Sequence, residues 1–204
     1  MPTQPNKERP LSLVLFYAFC RFFFRALNSL EVKHLDRVPV SGPLIVACNH
    51  LSNIDPPVVT CSIAQVRLPN VIAKKELFTI WPFGRILRGW GGIPVDRSRE
   101  GGDLGALRGC LTALKRGGCL LIFPEGTRAL GRKLKPKPGV AMMAHKSGAP
   151  VLPARIFNSE NFSKLGKITI KYGIPRHFEP PADGDLKAAY ARFTEVLMAD
   201  IFSL

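Results

Sequence analysis

The segment Leu44-Ile45-Val46-Ala47-Cys48-Asn49-His50-Leu51-Ser52-Asn53-Ile54-Asp55-Pro56-Pro57 decides the fold. Its first five residues form a continuous apolar, β-rich run of the length of a buried strand, and Pro56-Pro57 suits the first turn of a helix. His50 therefore stands where a strand ends and a helix begins, which is where ligands bind in open α/β sheets. Asp55 follows five residues later. On a regular helix the two would lie about 140° apart, so only the bend of a strand-to-helix junction can pair them. A carboxylate that accepts one ring N–H of a histidine fixes the tautomer and leaves the other nitrogen free to take a proton. Asp55 ahead of Pro56 suits a helix N-cap as well, and His50 a polar strand exit.

Working outward, strands and helices alternate. After a helix over 56–66 come a short strand at 71–73 leading to Lys74-Lys75, a helix over 76–88 broken near Trp81-Pro82, and a short strand within Gly91–Arg97. A helix over 101–116, stopped by Gly117-Gly118, precedes a buried strand at 119–123. A basic loop at 131–138, a helix over 139–147, strands at 151–154 and 168–172 and a last helix over 186–202 complete the chain. The alternation predicts the α/β class: a single domain with one central, mostly parallel or mixed sheet flanked by helices. At 204 residues the chain can bury one full core, and no repeat or linker divides it.

Residues 1–10 read as a loose polar tail, and Leu11 to Leu30 as an apolar helix on which Tyr17, Arg21, Arg25 and Asn28 form a narrow polar stripe. Spanning a bilayer would carry both arginines through hydrocarbon at roughly 2.5–3.5 kcal/mol each. No cleavage site follows the apolar run, so the expectation is an amphipathic membrane-interface helix lying in the plane, with its arginines at headgroup level, and the alternative is an ordinary helix packed on the core. The expected division is a 1–30 tail and interfacial helix and a 31–204 domain. A second apolar, aromatic patch around Trp81, Phe83, Ile86 and Trp90 lies beside basic residues.

Lys and Arg outnumber Asp and Glu by 29 to 15, a net charge of +14 that draws the molecule to anionic surfaces. Aromatic residues do not interleave with basic ones on any strand pattern, and no nucleic-acid module is recognisable, so acidic lipid is the expected partner. The five cysteines lie mostly in apolar runs without metal-ligand spacing, which fits buried thiols in a reducing compartment and no metal site.

Three strand exits carry candidate functional groups: His50 with Asp55, Arg97, and Glu125-Gly126-Thr127-Arg128. If adjacent strands carry them, they converge. The chemistry such a set supports is transfer to a hydroxyl on a phosphorylated acceptor: a base for the hydroxyl, guanidinium groups for the phosphate, and backbone N–H groups at a Gly turn for an oxyanion. No Gly-x-Ser-x-Gly elbow is present, which favours direct attack by the acceptor over an acyl-enzyme.

In order, NHLSNID (49–55), GGIPVDR (91–97), FPEGTR (123–128) and APVLPA (149–154) resemble the four motifs of the glycerophospholipid acyltransferases, the 1-acyl-sn-glycerol-3-phosphate acyltransferase family. The resemblance covers roughly residues 35–175. It implies that His50 is the general base, that Asp55 orients it, and that Arg97 grips the acceptor phosphate. It implies as well that Glu125, Gly126, Thr127 and Arg128 shape the acceptor site, that Lys137 belongs to a Lys-x-Gly feature after the third motif, and that Pro153 marks the fourth, near the acyl donor. The implied reaction moves a fatty acyl group from acyl-CoA or acyl carrier protein to the sn-2 hydroxyl of lysophosphatidic acid, giving phosphatidic acid. No cofactor or metal is implied, and the implied location is the cytoplasmic face of the cell membrane, peripheral or monotopic, at an anionic bilayer surface.

Overall fold

The computed structural model describes residues 10–70, 72–96, 103–129, 132, 134–182 and 184–204. Leu44–Cys48 is β2, and every residue in it is buried, as a strand covered on both faces must be. It lies between β5 (Cys119–Ile122) and β6 (Val151–Phe157), parallel to both. β6 pairs antiparallel with β7 (Thr169–Tyr172), and β1 (Glu31–Lys33) runs parallel to β7 at the edge. The order is β1-β7-β6-β2-β5, a mixed sheet.

The pleat divides the core. Leu44, Val46 and Cys48 pack with α1 (Leu11–Asn28) and α2 (Asp55–Ile63) on one face. Ile45 and Ala47 pack on the other with α4 (Leu104–Lys115), α5 (Gly139–Ser147) and α6 (Leu186–Ser203). All five cysteines are free, and four are buried.

Several expectations change. β3 (Ile72–Lys74) and β4 (Ile93–Val95) form a separate two-stranded parallel sheet, and among the described residues a bridge between Asn70 and Leu120 connects the start of β3 with β5. The exit of β4 is thus not beside that of β2. The helix over 76–88 is a 3-10 turn at Lys75–Phe78 followed by α3 (Phe83–Gly89), with the break at Trp81-Pro82 as read. α4 starts at Leu104 rather than 101 because Asp103 caps it, its carboxylate accepting from the N–H groups of Gly105 and Ala106. The last change is to α1, whose expected polar stripe turns inward: Leu13, Tyr17, Phe24 and Asn28 are its buried residues. Asn28 donates to the carbonyls of Phe162 and Gly166, which a lipid-facing amide could not do. Arg21 is half-buried, and only Arg25 of the stripe stays exposed.

β6 runs three residues beyond its expected end because its edge stays paired after β2 leaves the sheet. Asn49 takes over the ladder: its Nδ2 donates to the Ile156 carbonyl at 3.0 Å, and its Oδ1 accepts from the Ile156 N–H at 2.8 Å. Both residues are buried. An unpaired buried main-chain group costs about 1–3 kcal/mol, so Asn49→Ala, which strands two, should lower the unfolding free energy by roughly 2–5 kcal/mol. Urea denaturation checks this. A loss well under 1 kcal/mol would mean that Ile156 is paired by other means.

Candidate active site

At the carboxyl end of β2 the chain turns for six residues before α2 begins. Asp55 is the first residue of α2 rather than its cap, and its carboxylate points back into that turn. Oδ2 accepts from the N–H groups of Leu51 at 2.6 Å and Ser52 at 2.8 Å, and faces His50 Nδ1 at 2.8 Å. A carboxylate only accepts, so the neutral ring carries its proton on Nδ1 and leaves Nε2 as a bare acceptor. The Asp55 side chain is fully buried and that of His50 is 13% exposed. The imidazole stacks on Phe123 with ring centroids 4.3 Å apart and planes 25° from parallel.

The FPEGTR loop follows β5, the parallel neighbour of β2, and the two loops are joined through main chain. Glu125 Oε2 accepts from the His50 N–H at 2.8 Å, and the Ala129 N–H donates to the His50 carbonyl at 2.9 Å. Glu125 is buried. Burial pushes its carboxyl above the usual range, and the bond from the His50 N–H opposes that shift. Gly126 sits at φ +73°, where only glycine is unstrained, and a Cβ there would lie 2.8 Å from Lys137 Cε. Lys137 thus crosses directly over Gly126, and its own N–H donates to the Pro124 carbonyl at 2.8 Å. The Gly126 N–H is committed to the Phe123 carbonyl at 3.0 Å, so it is not the oxyanion donor that a Gly turn suggests.

His50, Asp55, Glu125, Gly126 and Lys137 are brought together by these contacts. Thr127 is exposed and Arg128 half-buried on the same loop. Arg97 lies outside the described residues; its neighbour Asp96 pairs with Lys75 at 2.6 Å beyond β4. Pro153 is in β6, opposite Ala47. That is three residues, about 10 Å along the strand, short of His50. It lines a cleft of about 400 Å³ with Arg37, Gly173 and Arg176, which does not include His50.

Two residues escape a reading of the sequence. Phe123 supplies the surface on which the imidazole rests, and its place directly before Pro124-Glu125 was the available signal. Asn49 fixes the main chain one residue before His50 by pairing with Ile156, 107 residues away, and no local pattern announces that.

The family model described as Acyltransferase matches residues 29–157. The 1-acyl-sn-glycerol-3-phosphate acyltransferase of Bacillus subtilis is 28% identical over 188 residues, 89% of this chain and 92% of that protein. The protein of the same name from Helicobacter pylori is 31% identical over 144 residues, which are 69% of this chain and 57% of that one. The crystal structure of the 1-acyl-sn-glycerophosphate (LPA) acyltransferase, PlsC, from Thermotoga maritima superposes with a TM-score of 0.69 at 27% identity, over 96% of this chain and 84% of the other. With the family match running from the end of α1 to the end of β6, through the His50 turn and the loop that clamps it, this chain belongs to the acyltransferase family.

Proposed function

We propose that the protein transfers a fatty acyl group from a thioester, acyl-CoA or acyl carrier protein, to the sn-2 hydroxyl of lysophosphatidic acid, giving phosphatidic acid, without metal or organic cofactor. The observation that carries this reading is the 2.8 Å contact of His50 Nδ1 with Asp55, which leaves Nε2 as the free base beside the Glu125–Lys137 loop. The name shared by the relatives supports the acceptor.

In this reading Nε2 takes the proton as the acceptor oxygen attacks the thioester carbonyl. The tetrahedral adduct collapses, the C–S bond breaks, and the imidazolium returns its proton to the departing thiolate. Asp55 stabilises the imidazolium. Its Oδ1 is buried with no hydrogen-bond partner among the described residues, so the carboxylate keeps uncompensated negative charge for that moment. Glu125 acts by holding the His50 main chain. Arg97, Arg128 and Lys137 supply positive charge for the acceptor phosphate, with Gly126 giving Lys137 room to cross the loop and Thr127 at the rim. Pro153 contributes from behind the site, toward the donor.

Both lipids, substrate and product, belong to a bilayer, so the protein works at the cytoplasmic membrane surface. α1 supports this, being long and apolar enough to cross a membrane while burying its polar residues against the domain. Leu11, Leu15, Phe19 and Phe22 on its outer side are 70%, 59%, 65% and 70% exposed. A helix docked by its polar stripe with phenylalanines outward fits an in-plane position.

Release of free thiol from an acyl thioester, run against a panel of lyso-lipids, tests the reaction. Lysophosphatidic acid should be the preferred acceptor, and a protein indifferent to the phosphate would contradict the reading. His50→Ala should lower kcat by roughly 10²–10⁴-fold with folding intact, whereas near-full activity would remove His50 from the chemistry. Asp55→Asn can keep the Leu51 and Ser52 bonds through its amide oxygen, but its NH₂ donates to Nδ1 and drives the ring proton onto Nε2. Activity should therefore fall by about 10³–10⁴-fold at little cost in stability. If turnover survives, the carboxylate only braces the turn.

A further inference from the structure

We propose that the outer face of α1 and the Ile80–Ile86 segment form one continuous docking plane for an anionic bilayer, with Trp81 as its deepest anchor. The proposal rests on the membrane reading above and adds a second contact that does not depend on α1. Trp81, Ile80, Phe83 and Ile86 are 82%, 53%, 42% and 41% exposed. Contiguous apolar exposure of this kind marks an interaction surface.

These side chains stand on a seated segment. Phe78, Gly84 and Leu87 are buried beneath them, and Gly84 approaches so closely that a Cβ would lie 2.0 Å from the Phe78 carbonyl oxygen. Arg88 donates to that carbonyl at 2.7 Å, and the Gly84 N–H to the Ile80 carbonyl at 2.6 Å. The inward face is fixed, so the outward one is fixed too.

Trp90 joins this segment to α1. Its ring packs on Phe16 with centroids 4.9 Å apart, and its Nε1 donates to Ser12 Oγ at 3.3 Å. Two segments more than fifty residues apart in sequence are thus joined at Trp90.

Charge selects the occupant. Residues 11–28 and 74–90 carry Arg21, Arg25, Lys74, Lys75, Arg85 and Arg88 against the single acid Glu76. Lys75 is paired with Asp96, and Lys74, Arg85 and Arg25 are exposed. An apolar plane edged by cations matches anionic headgroups over acyl chains. A second copy of the chain would bring the same cations against these in a two-fold pairing.

The chain has two tryptophans, 81 and 90, so Trp90→Phe leaves Trp81 as sole reporter while keeping a ring against Phe16. Vesicles of phosphatidylcholine with phosphatidylglycerol should blue-shift the Trp81 emission, and brominated acyl chains should quench it. In the full chain, Trp81→Ser should weaken binding to these vesicles roughly tenfold, the worth of a large buried apolar side chain. Turnover of a short-chain, monomerically dissolved acceptor should stay within twofold. Vesicle binding through α1 with Trp81 neither shifted nor quenched would overturn the proposal and leave the membrane reading standing. A Trp81→Ser effect on self-association in light scattering, with vesicle binding unchanged, would overturn it in favour of a second copy. No binding to any vesicle would overturn both, while the thiol-release assay would still report the chemistry.

Discussion

The main chain of His50 is held from both sides, and the candidate site depends on that grip. Its N–H goes to Glu125 and its carbonyl receives the Ala129 N–H, so the loop after β5 fixes where the imidazole stands. One residue earlier Asn49 ties the same stretch to β6. His50 is thereby positioned by its two flanking parallel strands at once, and Asp55 has only to set the ring. The base role we propose for His50 needs this, because a misplacement of about 1 Å can cost on the order of 10²-fold in rate.

The grip has an electrostatic cost. Asp55 and Glu125 are both buried, and isolated carboxylates would not tolerate that. Main-chain N–H groups carry much of the burden: Leu51 and Ser52 for Asp55, His50 for Glu125. The two acids therefore serve different ends. Asp55 faces the imidazole, whereas Glu125 faces backbone, and burial is the main cause that raises the Glu125 carboxyl pKa.

Much of this was legible in the residues. The His50–Asp55 pairing followed from the five-residue spacing across a strand-to-helix junction, and the meeting of His50 with Glu125 from two apolar runs able to be parallel neighbours. Other parts were hidden for physical reasons. β1 is three residues with two charged members and exists only because β7 pairs with it. Periodicity showed that α1 had a polar stripe but not which face would dock, because Asn28 finds its buried partners only once the 159–166 turn is in place. β4 joins a second sheet by pairing with β3, a three-residue strand far from it in sequence, and no local pattern encodes that.

The central claim is that Asp55 holds the proton on Nδ1 and leaves Nε2 free to accept one. Nitrogen-15 NMR of the histidine side chains reads this directly, and His50→Ala identifies the signal among the four histidines. With the ring neutral, His50 should show a protonated Nδ1 and a bare Nε2. A proton on Nε2, or an even mixture of the two tautomers, would contradict the account.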